Sequence, residues 1–379
     1  MTDHPHIPPQ VDAPITYASA GVDIEAGDRA VELMKSSVRR ATRPEVLGGL
    51  GGFAGMFDAS RLTGMTRPVL ATSTDGVGTK VALAQAMDRH DTIGFDLVGM
   101  VVDDIVVCGA EPLFMTDYIA CGSVVPERIA AIVGGIADAC RSAGVALVGG
   151  ETAEHPGLLA PGEYDVAGAA TGVVEFDDVL RPELVRPGDV VLGLASSGLH
   201  SNGYSLVRRV IATAGWSLDR EVPELGGTLG EELLTPTRVY AADLLSLTET
   251  ARGGVHALSH VTGGGLAANV ARVLPQGVHA RLERSTWVRP PVFDLVAELG
   301  RVPQADLERT LNLGVGFAAV LAPQSVDAAI VHLQQRGIDT WVLGEVFDAA
   351  TAPVLDDVEV VHGAKGVDGG SVQLVGTHP

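Results

Sequence analysis

The chain has 379 residues, 46% of them apolar and only 4% aromatic, with 47 glycines and a formal charge of −21. That length exceeds what one core usually supports, so two domains are expected, with cores built from Val, Leu, Ile and Ala. The charge argues against a nucleic acid or an anionic membrane as partner, since both select clustered Lys and Arg.

Residues 1–14 read as an irregular arm. Its prolines Pro5, Pro8, Pro9 and Pro14 replace the basic start and apolar run of a signal peptide, and no later apolar stretch reaches the roughly 18 residues of a membrane span. A cytoplasmic protein is expected. From Asp28 to Arg40 the apolar residues Ala30, Val31, Leu33, Met34 and Val38 recur at helical spacing. Lys35 borders that stripe, either snorkelling past it or reaching a ligand. Gly48-Gly49-Leu50-Gly51-Gly52-Phe53 is a loop that can lie against phosphates without Cβ interference, or simply a mobile surface turn.

Pro68 to Ser73 reads as a strand running into Asp75-Gly76-Val77-Gly78-Thr79-Lys80. The run lacks Walker spacing, and neither a kinase signature nor a Rossmann opening is present. Asp96 to Gly109 has helical periodicity, with Asp104 on the face of Leu97, Met100 and Cys108 and its neighbour Asp103 turned by about 100°. A carboxylate on a core-facing stripe requires a partner or a metal, so Asp104 is expected to be functional and Asp103 solvated.

Glu111 to Cys121 reads as a strand and Pro126 as a helix start. Val145 to Val148 is a short strand that delivers Gly149-Gly150-Glu151-Thr152. The three cysteines, Cys108, Cys121 and Cys140, have no CxxC spacing and read as reduced. A boundary falls between Glu175 and Gly188. Beyond it, the strand Asp189 to Ala195 opens into His200-Ser201-Asn202-Gly203, and the strand Val255 to Ser259 opens into His260-Val261-Thr262-Gly263-Gly264-Gly265 ahead of a helix from Leu266 to Leu274. Asn312 to Phe317 is a third glycine loop, before a strand from Ala318 to Leu321. Such strand-to-loop turns suit anions at a helix N-terminus. After Phe347 the chain reads as an irregular extension with a loose tail.

Strand and helix alternate, so the class is α/β of the α+β type. Asp75, Asp104 and Glu151 each sit where burial or a glycine turn disfavours charge, and gathering them around Mg²⁺ would resolve that cost. Acids beside glycines after apolar strands point to ATP. His200 and His260, at matching strand mouths, are candidate catalytic groups.

These segments together resemble the phosphoribosylformylglycinamidine cyclo-ligase family of purine biosynthesis. The resemblance runs through Arg43 to Phe53, Thr74 to Lys80, His90 to Gly94, Gly109 to Phe114, Gly149 to Glu154, His200 to Leu206, Thr235 to Arg238 and Thr262 to Gly265. It implies ATP-dependent closure of an imidazole ring on a ribonucleotide, through phosphorylation of the formyl amide oxygen. It implies ATP contacts from Lys35, Gly51, Gly52, Asp75, Gly76, Gly78, Thr79, Lys80, Gly149, Gly150, Glu151 and Thr152, with Mg²⁺ on Asp75, Asp104 and Glu151. Substrate contacts would come from His200, Ser201, Asn202, Gly203, Thr262, Gly263, Gly264 and Gly265; the resemblance assigns no individual base, and Asp104, His200 and His260 stay the candidate catalytic residues on their placement in the sequence.

The resemblance further implies an N-terminal domain over 15–175 whose mixed sheet pairs across a homodimer, an α/β substrate domain over 176–347, and an extension over 348–379. Asp103 departs from the family pattern, which has Asn before the Asp. A thiamine-monophosphate kinase, a selenophosphate synthetase or a hydrogenase-maturation enzyme would share the framework. A nucleotide sensor without turnover is the non-catalytic alternative.

Overall fold

The computed structural model describes residues 17, 20–49, 51–363 and 368–379. The expected arm over 1–14, together with Leu50 of the glycine loop, lies outside the described residues.

The chain opens with α1 (Ile24–Arg40), capped by Asp23, whose side chain accepts from Ala26 N. A hairpin of β1 (Val46–Leu47) and β2 (Met56–Phe57) carries the glycine loop. Next come β3 (Pro68–Gly76), α2 (Val81–Met87), α3 (Ile93–Val106), β4 (Glu111–Cys121), α4 (Pro126–Ala143), β5 (Ala146–Glu154) and β6 (Tyr164–Glu175). Their sheet has the order β3-β6-β4-β5, antiparallel except for the parallel β4/β5 edge. α4 starts on Pro126 and ends on Gly144 in the left-handed region at φ 72°, the Pro-start and Gly-stop asymmetry expected of helix ends.

One face of this sheet packs on α3 and α4, so Met115, Asp117, Ile119 and Cys121 of β4 point inward while Thr116 and Tyr118 point out. The other face stays open and carries Leu70 and Tyr118, 62% and 41% exposed.

The second half contributes β7 (Val190–Ala195), α5 (Tyr204–Ala214), the small hairpin β8 (Glu221–Val222) and β9 (Gly227–Thr228), α6 (Leu229–Leu233), α7 (Ala241–Thr250), β10 (Val255–His260), α8 (Gly265–Val273) and β11 (Val278–Glu283). It continues with α9 (Pro291–Gly300), α10 (Gln304–Thr310), β12 (Val315–Leu321), α11 (Val326–Gln335), β13 (Thr340–Asp348), β14 (Val361–His362) and β15 (Ser371–Val375). Seven strands form the second sheet in the order β10-β12-β7-β13-β11-β15-β14. Among the described residues no helix is long and apolar enough to cross a membrane.

Three expectations change here. Gly149 to Glu154 do not form a loop after a short strand; they lie within β5, paired in parallel with β4. Gly316 and Phe317 belong to β12, and a Cβ on Gly316 would stand 2.1 Å from Tyr240 Oη and 2.6 Å from His200 Cε1. That glycine admits two packed rings rather than an anion. The chain after Phe347 is not irregular to its end either, because Val372 and Gln373 are fully buried in β15, which runs parallel to β11; of the loose tail expected over Gly363 to Gly370, residues 364–367 lie outside the described residues.

Candidate functional site

Two loops singled out by sequence meet at the seam between the two halves. Ser201 Oγ donates to Val77 O at 2.6 Å, and Thr79 Oγ1 lies 3.2 Å from Ser205 Oγ. Lys80 crosses the seam fully buried, donating to Asp96 Oδ1 at 2.7 Å, His200 O at 3.0 Å and Thr235 O at 2.6 Å. All three ammonium hydrogens are thereby used. Lys80 is therefore a tie between the halves and not a phosphate contact, which corrects its expected role.

Burial pushes the Asp96 carboxyl up and the Lys80 ammonium down. Their mutual contact opposes both shifts, and the two bonds that Asp96 Oδ1 accepts from Thr237, at N and Oγ1, further oppose that of Asp96.

His200 sits in the left-handed region at φ 62° and is 2% exposed. Ser197 N–H donates to its Nε2 at 3.1 Å, so the neutral ring, favoured by burial, carries its proton on Nδ1, where no partner stands. His200 thus shapes the turn and borders Tyr240. Asn202 Nδ2 points at Met100 Sδ, and Gly203 in the left-handed region starts α5.

The second cluster lines a cleft of about 290 Å³ walled by Thr72, Ser73, Asp104, His260, Asn269 and Arg272. Asp104 reaches across from α3 and accepts from His260 Nδ1 at 2.8 Å. The His260 ring stacks on Phe317 at 5.3 Å, and its Nε2 is buried without a partner. Nε2 faces the interior, so the member of the pair open to the cleft is the Asp104 carboxylate, held in place by the Nδ1–H.

The faces of the two aspartates are the reverse of expectation. Asp103 is fully buried and accepts from Tyr240 N at 3.0 Å on both oxygens, its carboxyl pushed up to about 7 by burial. The Asp104 side chain is 44% exposed toward the cleft.

The third cluster is a cavity of about 630 Å³ under the hairpin loop. α1 contributes Ala30 and Met34, the loop Gly51, Gly52 and Gly55, and the sheet edge Asp117, Gly149, Gly150, Glu151 and Thr152. Asp117 went unrecognised in the sequence, although its inward phase with Met115 and Ile119 marks it as an acid in a core-facing register. It is 9% exposed, and burial pushes its carboxyl up to about 7. Gly150 makes room for it, since a Cβ there would stand 1.9 Å from Asp117 Oδ1. Lys35 lines an adjoining cavity beside Arg39 and Gly48 and pairs with Glu32.

Asp75, Asp104 and Glu151 do not converge within this chain. Asp75 and Glu151 lie on β3 and β5, opposite edges of the four-stranded sheet, three strand spacings or about 14 Å apart. Asp104 faces the cleft. Among the described residues no three His, Cys, Asp or Glu side chains form a metal-binding group. Asp117 enters the cavity from the inward face of β4, whereas Glu151, in register with Tyr118, projects from the opposite face at the cavity's rim; the acid whose burial a hard divalent ion would offset is Asp117.

Two α/β halves, a glycine-walled cavity and an acid–imidazole cleft between them define the AIR synthase related class. The family description "AIR synthase related protein, N-terminal domain" matches residues 58–174, and "AIR synthase related protein, C-terminal domain" matches 186–355. Solved structures of that fold include thiamine-monophosphate kinase from Stenotrophomonas maltophilia K279a, at 17% identity and TM-score 0.57 over 91% of this chain and 96% of that one. Another is the hydrogenase maturation protein HypE in complex with ATP, at 17% identity and TM-score 0.59 over 94% and 96%.

Relatives named phosphoribosylformylglycinamidine cyclo-ligase are far nearer in sequence. That of Desulfitobacterium hafniense (strain DSM 10664 / DCB-2) is 52% identical over 87% of this chain and 96% of its own. That of Anaeromyxobacter sp. (strain Fw109-5) is 53% identical over 88% and 96%. The chain belongs to the phosphoribosylformylglycinamidine cyclo-ligase family.

Proposed function

We propose that the chain uses ATP to close the imidazole ring of formylglycinamidine ribonucleotide, giving 5-aminoimidazole ribonucleotide, ADP and phosphate in purine biosynthesis. The formyl amide oxygen attacks the γ-phosphorus and displaces ADP. The ribose-linked nitrogen then attacks the activated carbon, loses its proton, and phosphate leaves. Such chemistry needs alignment and charge control more than a protein nucleophile.

The observation that carries this reading is the Asp104–His260 pair in the cleft between the halves. His260 Nδ1–H orients the Asp104 carboxylate, which faces the cleft and takes the proton from the attacking nitrogen. ATP occupies the cavity under Gly51, Gly52 and Gly55, with Gly149, Gly150 and Thr152 along its floor. Asp117 would hold Mg²⁺ there, which would supply charge neutralisation of the phosphates. The enzyme acts in the cytoplasm as a homodimer, with the open sheet face of Leu70 and Tyr118 covered by the second subunit.

Incubation with formylglycinamidine ribonucleotide, ATP and Mg²⁺ should give one ADP per aminoimidazole formed. ATP hydrolysis indifferent to that substrate rejects the proposal.

A further inference from the structure

The cleft that holds the Asp104–His260 pair has a second, oppositely charged wall. Arg272 lines it from α8, while Asp104 belongs to α3 on the other half. The chain carries 26 Lys and Arg against 47 Asp and Glu, so most described arginines at sites of this kind are engaged by acids. Arg284 is taken by Glu308 and Arg43 by Glu45 and Glu111. Arg272 has no carboxylate within 4.0 Å among the described residues; its guanidinium donates from Nη1 to Asn269 Oδ1 at 3.2 Å.

Asn269 is a rigid mount for that guanidinium. It is 2% exposed, and its Nδ2 donates to Thr262 O at 3.2 Å and Gly265 O at 2.8 Å. Its amide orientation is therefore set by the Thr262-to-Gly265 turn, and its Oδ1 faces Arg272. A guanidinium has five donors, so four remain for a planar or tetrahedral oxyanion.

We infer that Arg272, mounted on Asn269, is the subsite for the 5′-phosphate of the ribonucleotide. The inference rests on the ring-closure reading and extends it to how the substrate is oriented. A phosphate on the Arg272 wall leaves the opposite end of the molecule, with its basic amidine, toward Asp104 and His260. The cleft then matches a ligand that is anionic at one end and cationic at the other, and the reacting nitrogen comes to rest beside the exposed Asp104 carboxylate. The same guanidinium chemistry would suit the γ-phosphate of ATP, and the experiment separates the two sources.

The test compares wild type with Arg272→Gln and Arg272→Lys on the formylglycinamidine ribonucleotide and on the corresponding ribonucleoside lacking the phosphate. Arg272→Gln should raise KM for the ribonucleotide about 30-fold to 100-fold, the loss of hydrogen bonds to a charged group, and leave KM for ATP within about twofold. Arg272→Lys should recover part of the loss. Wild-type preference for the ribonucleotide over the ribonucleoside should shrink by the same factor in Arg272→Gln. Titration calorimetry of 5-aminoimidazole ribonucleotide without ATP should show the same weakening.

A rise confined to the ATP KM, or equal losses on the ribonucleotide and ribonucleoside, overturns the inference. Wild type inactive on the ribonucleotide removes the ring-closure reading itself, whereas active wild type with Arg272→Gln unchanged removes this subsite alone.

Discussion

Lys80 Nζ and Asp96 Oδ1 stand 2.7 Å apart with neither side chain reaching solvent, and the pair is fastened to Thr235 and Thr237 of the second half. Removing one member strands the other charge in a desolvated seam, which costs about 3–5 kcal/mol. Lys80→Met should therefore lower stability by that order in urea unfolding. Its effect on KM for ATP in folded protein should be small, since no ammonium hydrogen is free for a phosphate. A selective rise in the ATP KM at unchanged stability would return Lys80 to the nucleotide site.

Asp104 and His260 come from different halves of the molecule, so their 2.8 Å contact exists only when the seam is closed. Asp104→Asn keeps the shape but withdraws the carboxylate that faces the cleft as proton acceptor, and kcat should fall about 10²-fold or more. Because the side chain is 44% exposed, thermal unfolding should move little. A melt shifted as much as that of Lys80→Met would show Asp104 to be structural. His260→Gln should match the Asp104→Asn loss, and the double variant should lose little more, as members of one unit do.

How much of this was legible in the sequence varied with the kind of information each element carries. α4 and β4 were legible because Pro126, the spacing of Ile129, Ile132 and Ile136, and the β-rich run from Glu111 are local signals. Asp103 and Asp104 were misassigned for a physical reason. α3 packs on the sheet, on α4 and on α7, and is buried on nearly every side, so a 100° turn separates two packed faces instead of core from water. The metal triad failed because sheet order is not local: nothing near Asp75 or Glu151 encodes that β6 and β4 lie between them. β15 was missed for a related reason, as its partner β11 lies some ninety residues earlier and its flanking glycines read as a loop.

The last strand makes its own prediction. Gln373 is fully buried, its Nε2 donating to Leu355 O and Val358 O at 2.8 and 2.7 Å while its Oε1 accepts from Leu355 N at 3.0 Å. Arg284 Nη1 also donates to Leu374 O at 2.6 Å. Truncation after residue 369 would expose the edge of β11 and the apolar residues beneath Val372 and Leu374, an aggregation-prone edge. The truncated chain should be largely insoluble on expression, and Gln373→Leu should unfold at lower urea than wild type. Soluble, fully active truncated protein would show that β15 is not needed to cover β11.

Asp117 links stability to pH with a definite sign. Its folded carboxyl titrates near 7 against about 3.9 in an unfolded chain, so the folded state binds the proton more tightly. Stability of the ligand-free protein therefore falls as pH rises from about 4 to about 7, by up to about 4 kcal/mol from this group alone. Asp117→Asn removes that penalty: without ligands the variant should be the more stable protein at pH 8, with the difference vanishing near pH 4. Mg²⁺ should act on only one of the two proteins. A cation on Asp117 stabilises the ionised carboxylate, so millimolar Mg²⁺ at pH 8 should raise the wild-type melting temperature and leave Asp117→Asn nearly unmoved. Equal Mg²⁺ responses in both would place the ion elsewhere, and a wild-type stability flat between pH 4 and 7 would mean that the Asp117 carboxylate is already compensated in the folded chain.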